Sequence, residues 1–294
     1  VIPVAFDYAR PSTVEDAVAA LAGAGNDAKI LAGGQSLLPV LRLRLAAPTV
    51  VVDLGAIASL RGIRVDGNDL VVGAMATHAE VASSPLVQTE APLVAVTAIT
   101  VGDRQVRHRG TLGGSLAHAD PAGDLPAAAV ALDATIVLVG PAGRRSVAAR
   151  DFFTDIFTTS MEPGEILVEV RFPRTGGWTA RYEKFHRTAQ AWALVAVAAT
   201  VRRENGAIAE ARVAFTNLGS TPIRASAVEA ALAGAADLGT VKAAATHAAE
   251  ATSPSSSSSS GGNGQAGNSV EYRRHLAGVL TARAVASAAG LASP

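Results

Sequence analysis

Two glycine pairs set the terms on which this chain can fold. The first lies in "LAGGQSLLPV", residues 31 to 40, and the second in "RGTLGGSLAHADPAGDLPA", residues 109 to 127. The first interrupts an apolar run, "AKIL", and is followed by an apolar helix that starts at Leu37. One glycine suffices for a turn. A second strips the backbone of side chains where strand gives way to helix, so that it can approach a ligand and aim N–H groups into a concavity. A helix N-terminus directly beyond adds partial positive charge, and the combination is an anion site. The candidate residues are Ala32, Gly33, Gly34, Gln35, Ser36 and Leu37 in the first loop, and Thr111, Gly113, Gly114 and Ser115 in the second. A lone glycine pair is a common turn. Two such pairs in different lobes, if they face each other, grip a pyrophosphate from both sides. Neither loop is G-x-G-x-x-G or a P-loop, so neither a Rossmann site nor phosphoryl transfer is supported.

The chain has 294 residues, 49% of them hydrophobic, which is more than one small core uses. Formal net charge is zero, so no overall field points to nucleic acid or an anionic membrane. The absence of cysteine excludes disulfides, thiolate metal sites and any iron–sulfur cluster held by this chain. The six histidines show no metal-binding spacing and no G-x-S-x-G elbow is present, so neither a metal site nor a hydrolase is expected. "VIPVAFDYARPS" lacks the features of a signal peptide, and no window approaches the roughly 18 apolar residues of a membrane span, so a soluble, cytoplasmic protein is expected.

Residues 1–56 read as a small parallel α/β lobe. Ser12 and Glu15 after Pro11 form a capping-box pattern that opens a helix, Ala17, Val18 and Leu21 share its face, and Gly23 ends it. "AKIL" and "TVVVDL" are strands, with a helix around Leu37 to Leu45 between them. Residues 57–175 read as mixed strands with helices on one side. Here "DLVVGAMAT" is a strand, Thr77 and Glu80 form a second capping box, and residues 86 to 100 are helical. "ATIVLVGPAGRRSVA" is a hairpin, and "EPGEILVEVRFP" is a turn and a strand closed by Pro173. Residues 176–294 form a C-terminal α+β unit. Asn205-Gly206 links two alternating strands in a tight hairpin, helices follow at about 224 to 233 and 240 to 250, and a last helix runs from Val270 to Ala289. "SPSSSSSSGGNGQAGNS", 253–269, is too polar and small to hold a core and reads as a flexible loop.

Single side chains add detail. Asp120 suits an Asx-turn. Asp124 either caps a helix starting near Leu125 or accepts hydrogen bonds from ligand hydroxyls. Of Arg104, Arg107 and Arg109, most are expected to be solvated, with room for one to meet phosphate. From the residues alone, Trp192 is a packing residue at the head of a buried strand.

"AFDYARPSTVEDAVAAL", "KILAGGQSLLPVLRLRLAAPTVVVDL", "RGTLGGSLAHADPAGDLPA", "GEILVEVRFP" and "EYRRHLAGVL", in that order, resemble the FAD-binding medium subunits of the molybdenum hydroxylase family over nearly the whole chain. The resemblance is strongest to the carbon monoxide dehydrogenase branch. It implies an α+β fold: a two-lobed FAD-binding domain of the vanillyl-alcohol-oxidase (PCMH) type and a C-terminal α+β domain. It places the FAD pyrophosphate between Ala32–Ser36 and Thr111–Ser115, with further cofactor contacts at Val101, Gly102, Asp124, Leu167 and Lys184. It also matches Trp192 to an aromatic residue beside the flavin ring. The family usually has Gly-Asp before that aromatic. Here the pair is Gln190-Ala191, which weakens the case for a carboxylate beside the ring.

The implied activity is that of an oxidoreductase subunit. A large partner would hold the molybdenum cofactor and a small partner two [2Fe–2S] clusters. This chain would pass electrons through FAD to an external acceptor, in a dimer of heterotrimers. Alternatives are the FAD subunit of a xanthine, aldehyde or N-heterocycle dehydrogenase, and a self-sufficient flavin oxidoreductase. The substrate is bound by another chain and is not legible here.

Overall fold

A computed structural model of the chain describes residues 2–250, 252–254 and 269–291. Most of the stretch expected to be a flexible loop lies outside the described residues, but its ends are tied down. The Ser253 N–H bonds the Leu218 carbonyl at 2.8 Å, and the Ser269 hydroxyl caps the last helix by accepting from the Tyr272 N–H at 3.1 Å.

The N-terminal part comprises β1 (Asp7–Ala9), α1 (Val14–Ala24), β2 (Ala28–Leu31), α2 (Leu37–Arg42) and β3 (Val50–Asp53). Its sheet has the order β1-β3-β2 and is parallel throughout. Three residues are too few to show alternation, which is why β1 was not expected from sequence. The cap of α1 is Thr13, accepting from the Asp16 N–H at 3.1 Å, one position beyond the expected Ser12–Glu15 box. The helix passes Gly23 and stops at Gly25, whose φ of 65° ends it.

The central part runs through β4 (Ile63–Asp66), β5 (Asp69–Gly73), α3 (His78–Ser83), α4 (Pro85–Glu90), α5 (Pro92–Ala98), α6 (Arg104–Arg107), α7 (Leu112–His118), α8 (Asp124–Ala131), β6 (Thr135–Gly140) and β7 (Gly143–Ala148). It continues with α9 (Ala149–Phe152), β8 (Phe153–Asp155), β9 (Thr158–Thr159) and β10 (Ile166–Pro173). The Thr77–Glu80 capping box opens α3 as expected. The single helix expected over 86 to 100 is two, because Ala91 leaves the helical region ahead of Pro92.

The sheet β4-β5-β10-β6-β7 is antiparallel, and its inner strands β5, β10 and β6 are largely buried on both faces. Alternation along its strands sorts the side chains. Val137, Ile166 and Val168 pack with Leu21, Val52 and Leu54 of the N-terminal part. Ile136, Leu138, Leu167 and Val170 pack on the other face with Leu112, Leu116 and Leu125. The helices are therefore on one side, as expected, and the N-terminal unit covers the other.

The C-terminal part holds β11 (Thr179–Phe185), β12 (Val195–Glu204), β13 (Ala207–Thr216), β14 (Ile223–Arg224), α10 (Ser226–Leu232), α11 (Leu238–Ala245) and α12 (Val270–Ala288). Its sheet is ordered β11-β12-β13-β14. Asn205 and Gly206 both take positive φ, 51° and 84°, the two-residue turn that matches strand twist. One face, with Val195, Val197, Val213 and Phe215, packs with α10, α11 and α12. The other carries Ala196, Ala198 and Ala214, small enough for the central helices to approach, and belongs to the same core as α5 and α8.

Candidate functional site

The chain fold brings the two glycine loops together. A Cβ added at Gly33 would overlap the Arg109 carbonyl oxygen and lie 2.7 Å from Gly110 Cα. One added at Gly114 would lie 3.4 Å from Ala32 Cβ. The loops thus pack backbone to backbone, and Gly33 is required first by the protein's own neighbouring loop. Gly34, at φ 75°, makes the turn itself.

The two loops differ in what they leave free. Among the described residues the amides of Gly34, Gln35 and Ser36 donate to no protein acceptor, and the Ser36 side chain caps nothing. Gln35 is exposed, its side-chain amide 3.4 Å from the Gly33 carbonyl, and Leu37 begins α2. In the second loop the amides are already used. Leu112 N–H bonds the Ala76 carbonyl at 3.0 Å, Gly113 N–H the Ala74 carbonyl at 2.9 Å, and Gly114 N–H the Thr111 hydroxyl at 3.1 Å. Ser115 N–H bonds the Thr111 carbonyl at 3.0 Å. The expectation of two equivalent amide cradles is therefore corrected. The first loop offers donors, while the second, with Gly113 pressed on Ala74, is a wall that fits closely against it. Three successive unpaired amides beside a free hydroxyl fit the diphosphate of a dinucleotide such as FAD.

Asp124 and Lys184 meet at a second cluster. Asp124 is the first residue of α8 and is not its cap; Gly123 holds that position. Its buried carboxylate accepts from Lys184 Nζ at 2.7 Å on Oδ2 and from the Tyr182 hydroxyl at 2.7 Å on Oδ1. Lys184 Nζ also lies 3.3 Å from the Thr100 carbonyl, beside Val101 and Gly102. Burial pushes the Asp124 carboxyl up from the ordinary range, and Lys184 and Tyr182 oppose that shift. Burial, reinforced by the Asp124 charge, drives the Tyr182 hydroxyl well above its usual value, so it remains a donor. Tyr182 was not foreseen. It lies two residues before Lys184 on β11 and so shares its face, a period-2 signal readable in "YEK".

The Val101–Gly102 turn is braced by Arg107, whose Nη1 reaches the Val101 carbonyl at 3.0 Å and the Gly102 carbonyl at 3.2 Å. Arg107 thus supports the backbone, whereas Arg104 and Arg109 are exposed. Asp120 takes its local role, accepting from the Ala122 N–H at 2.9 Å. Leu167 sits in the core on β10, at the register shift opposite Leu138. Trp192 corrects the packing expectation. Pairing with β11 begins at Leu194, whose N–H bonds the Phe185 carbonyl, so Trp192 stands ahead of the buried strand with 54% of its surface exposed. Two open concavities lie elsewhere. One of about 690 Å³ is lined by Arg61, Thr77, Glu80 and Arg107, and one of about 490 Å³ lies between α11 and α12; neither lining includes a glycine-loop residue.

Comparison with known proteins matches this arrangement. Residues 4–175 match the family model described as the FAD binding domain in molybdopterin dehydrogenase, and residues 180–288 that of the CO dehydrogenase flavoprotein C-terminal domain. The carbon monoxide dehydrogenase medium chain of Hydrogenophaga pseudoflava is 43% identical over 226 residues, covering 76% of this chain and 78% of that one. The corresponding medium chain of Afipia carboxidovorans is 41% identical over 237 residues, covering 80% and 82%. A solved carbon monoxide dehydrogenase from Hydrogenophaga pseudoflava, lacking the Mo-pyranopterin moiety of its cofactor, contains a chain that superposes with a TM-score of 0.92 at 40% identity, with 100% of both chains covered. Loops that fit a diphosphate, an α+β fold of this topology and these matches together show that the chain belongs to the FAD-binding family of the molybdopterin dehydrogenases, as the FAD-carrying component of an oxidoreductase.

Proposed function

We propose that this chain is the electron-transferring medium subunit of a carbon monoxide-oxidising molybdenum enzyme. The reading rests on one observation: two loops distant in sequence meet, and the amides of Gly34, Gln35 and Ser36 face no protein acceptor among the described residues. In this reading the N-terminal lobe, 1–56, supplies those amides and the Ser36 hydroxyl to the pyrophosphate. The second lobe, 57–175, supplies the wall Thr111–Ser115, the Val101–Gly102 turn, Asp124 and Leu167. The C-terminal domain, 176–294, supplies Lys184 and Trp192. FAD, when bound, links one-electron carriers to a two-electron acceptor. The chain's own residues bind and orient it, and none acts as a base on substrate. The similarity of the whole chain to carbon monoxide dehydrogenase medium chains supports CO as the substrate, oxidised at a molybdenum site on a large partner. Two [2Fe–2S] clusters on a small partner would carry the electrons here, in a paired heterotrimer in the cytoplasm.

The test is spectroscopic. Acid precipitation should release all flavin, since no cysteine exists for a thioether link. CO added to the purified chain should leave the flavin absorbance unchanged, whereas dithionite should bleach it. CO should bleach it once both partners are present. Bleaching of the isolated chain by CO, xanthine or an aldehyde would establish a self-sufficient flavoenzyme instead.

A further inference from the structure

At the seam between α8 and the C-terminal sheet, a chain of hydrogen bonds ends on Asp124. Thr216 Oγ1 lies 3.1 Å from the Tyr182 hydroxyl and 3.4 Å from the Gly123 carbonyl. The Tyr182 hydroxyl donates to Asp124 Oδ1 at 2.7 Å, and Lys184 Nζ to Oδ2 at 2.7 Å. All four side chains are buried or nearly so. The next residue, Asn217, reaches the same loop: its N–H bonds the Pro121 carbonyl at 2.8 Å and its side-chain amide the Ala193 carbonyl at 2.7 Å. Two consecutive residues at the end of β13 therefore hold both the loop leading into Asp124 and the segment carrying Trp192.

The tyrosine hydroxyl is not needed for packing, because its ring already lies in the apolar cluster shared by α5 and α8. Its hydroxyl has a geometric effect instead. A carboxylate held at one oxygen, as by Lys184 alone, pivots about that oxygen. Held at both, it keeps one plane, and each oxygen retains a lone pair for a further donor. With Tyr182 donating to Asp124, Thr216 can donate to the tyrosine oxygen, and such a chain strengthens each of its bonds.

We propose that Tyr182, backed by Thr216, is a positioning residue that fixes the Asp124 carboxylate so that it meets the hydroxyls of bound FAD in one orientation. The proposal rests on the reading of Asp124 as a cofactor contact. Tyr182 acts only through that carboxylate, so the C-terminal domain helps set the flavin site without touching the flavin at this point.

The experiment is a double-mutant cycle on the full chain, with FAD affinity and the midpoint potential of bound FAD as readouts. Tyr182→Phe keeps the ring and should weaken FAD binding about tenfold. If that loss falls on one redox state, the two-electron potential moves by about 30 mV. In an Asp124→Asn background the same substitution should change neither quantity further. Thr216→Val, which leaves the Tyr182–Asp124 bond in place, should give a smaller shift in the same direction. A Tyr182→Phe chain with parental affinity and potential overturns the proposal. So does an effect that persists undiminished with Asn at 124. If Asp124→Asn itself binds FAD as the parent does, the proposal falls because Asp124 is not a cofactor contact. A parent chain that binds no FAD would refute the functional reading as a whole.

Discussion

Gly33 and Ser36 stand three positions apart and answer to different constraints. Gly33 has no room for a Cβ because the Arg109 carbonyl occupies that space. Gly33→Ala should therefore damage the fold itself, by about 1–3 kcal/mol of overpacking, and lose FAD as a consequence. Ser36 is half-buried and its hydroxyl makes no cap hydrogen bond. Ser36→Ala should leave the melting temperature of the flavin-free chain unchanged and weaken FAD about tenfold, the effect of one lost bond to a charged group. Thermal melts of flavin-free protein paired with FAD titrations separate the two. Equal loss of stability in both variants would show that the loop's role is structural throughout. The glycine pairs were legible as a site because two of them, each with a serine close behind and a helix following, recur in different lobes. Their inequality was not, since it depends on Ala74 and Ala76, whose carbonyls take the second loop's amides from nearly forty residues away. Asp124 and Lys184 were each marked as contacts by resemblance, but nothing local in either stretch says that they pair with each other.

At the scale of elements, helix α3 shows what sequence patterns carry and where they stop. Its capping box was readable, because both partners lie within four residues. That its first residue, His78, would be driven into the back of the second glycine loop was not. A Cβ on Gly110 would lie 2.8 Å from the His78 ring, and the ring's Nδ1 is buried without a partner among the described residues. Burial, and then the nearby Arg107 charge, lower the His78 pKa from 6.5 to about 4. The folded chain thus refuses a proton that the unfolded chain accepts. Stability is fully present above about pH 6.5 and falls as pH drops toward about 4, by up to about 3 kcal/mol for this group. His118, also lowered by burial, acts in the same sense. Urea unfolding at pH 7.5 and pH 5 should show the loss, and His78→Gln should flatten the difference. An unchanged pH slope in that variant would mean that His78 is not the group responsible. The same limit on local reading explains the misplaced cap of α1, where Ser12 and Thr13 offer two overlapping patterns and only the chain's path selects Thr13.

The whole molecule turns on α8. All eight of its residues are buried, Asp124 included, and a helix buried all round must have partners on every side. One set is the helices α5, α7 and α9 of the central part; the other is the alanine-lined face of β12 and β13 with Tyr182. This follows from composition: alanines at Ala196, Ala198 and Ala214 let the sheet come close, and the polar line Thr216–Tyr182–Asp124–Lys184 is satisfied only when both sides are present. The family models meet at this seam, one ending at 175 and the other beginning at 180, yet the core does not divide there. A chain ending at 175 should therefore expose the apolar outer surface of α5 and α8 and lose the lysine that pairs with Asp124. Such a fragment should bind a hydrophobic dye and melt broadly, whereas the full chain should unfold in a single calorimetric transition. Lys184→Met in the full chain should cost stability, and Asp124→Asn added to it should restore some, because two neutral groups replace a lone buried charge. A fragment that unfolds as sharply and at the same temperature as the full chain would show that the two parts are separate bodies and that the seam is only a contact between them.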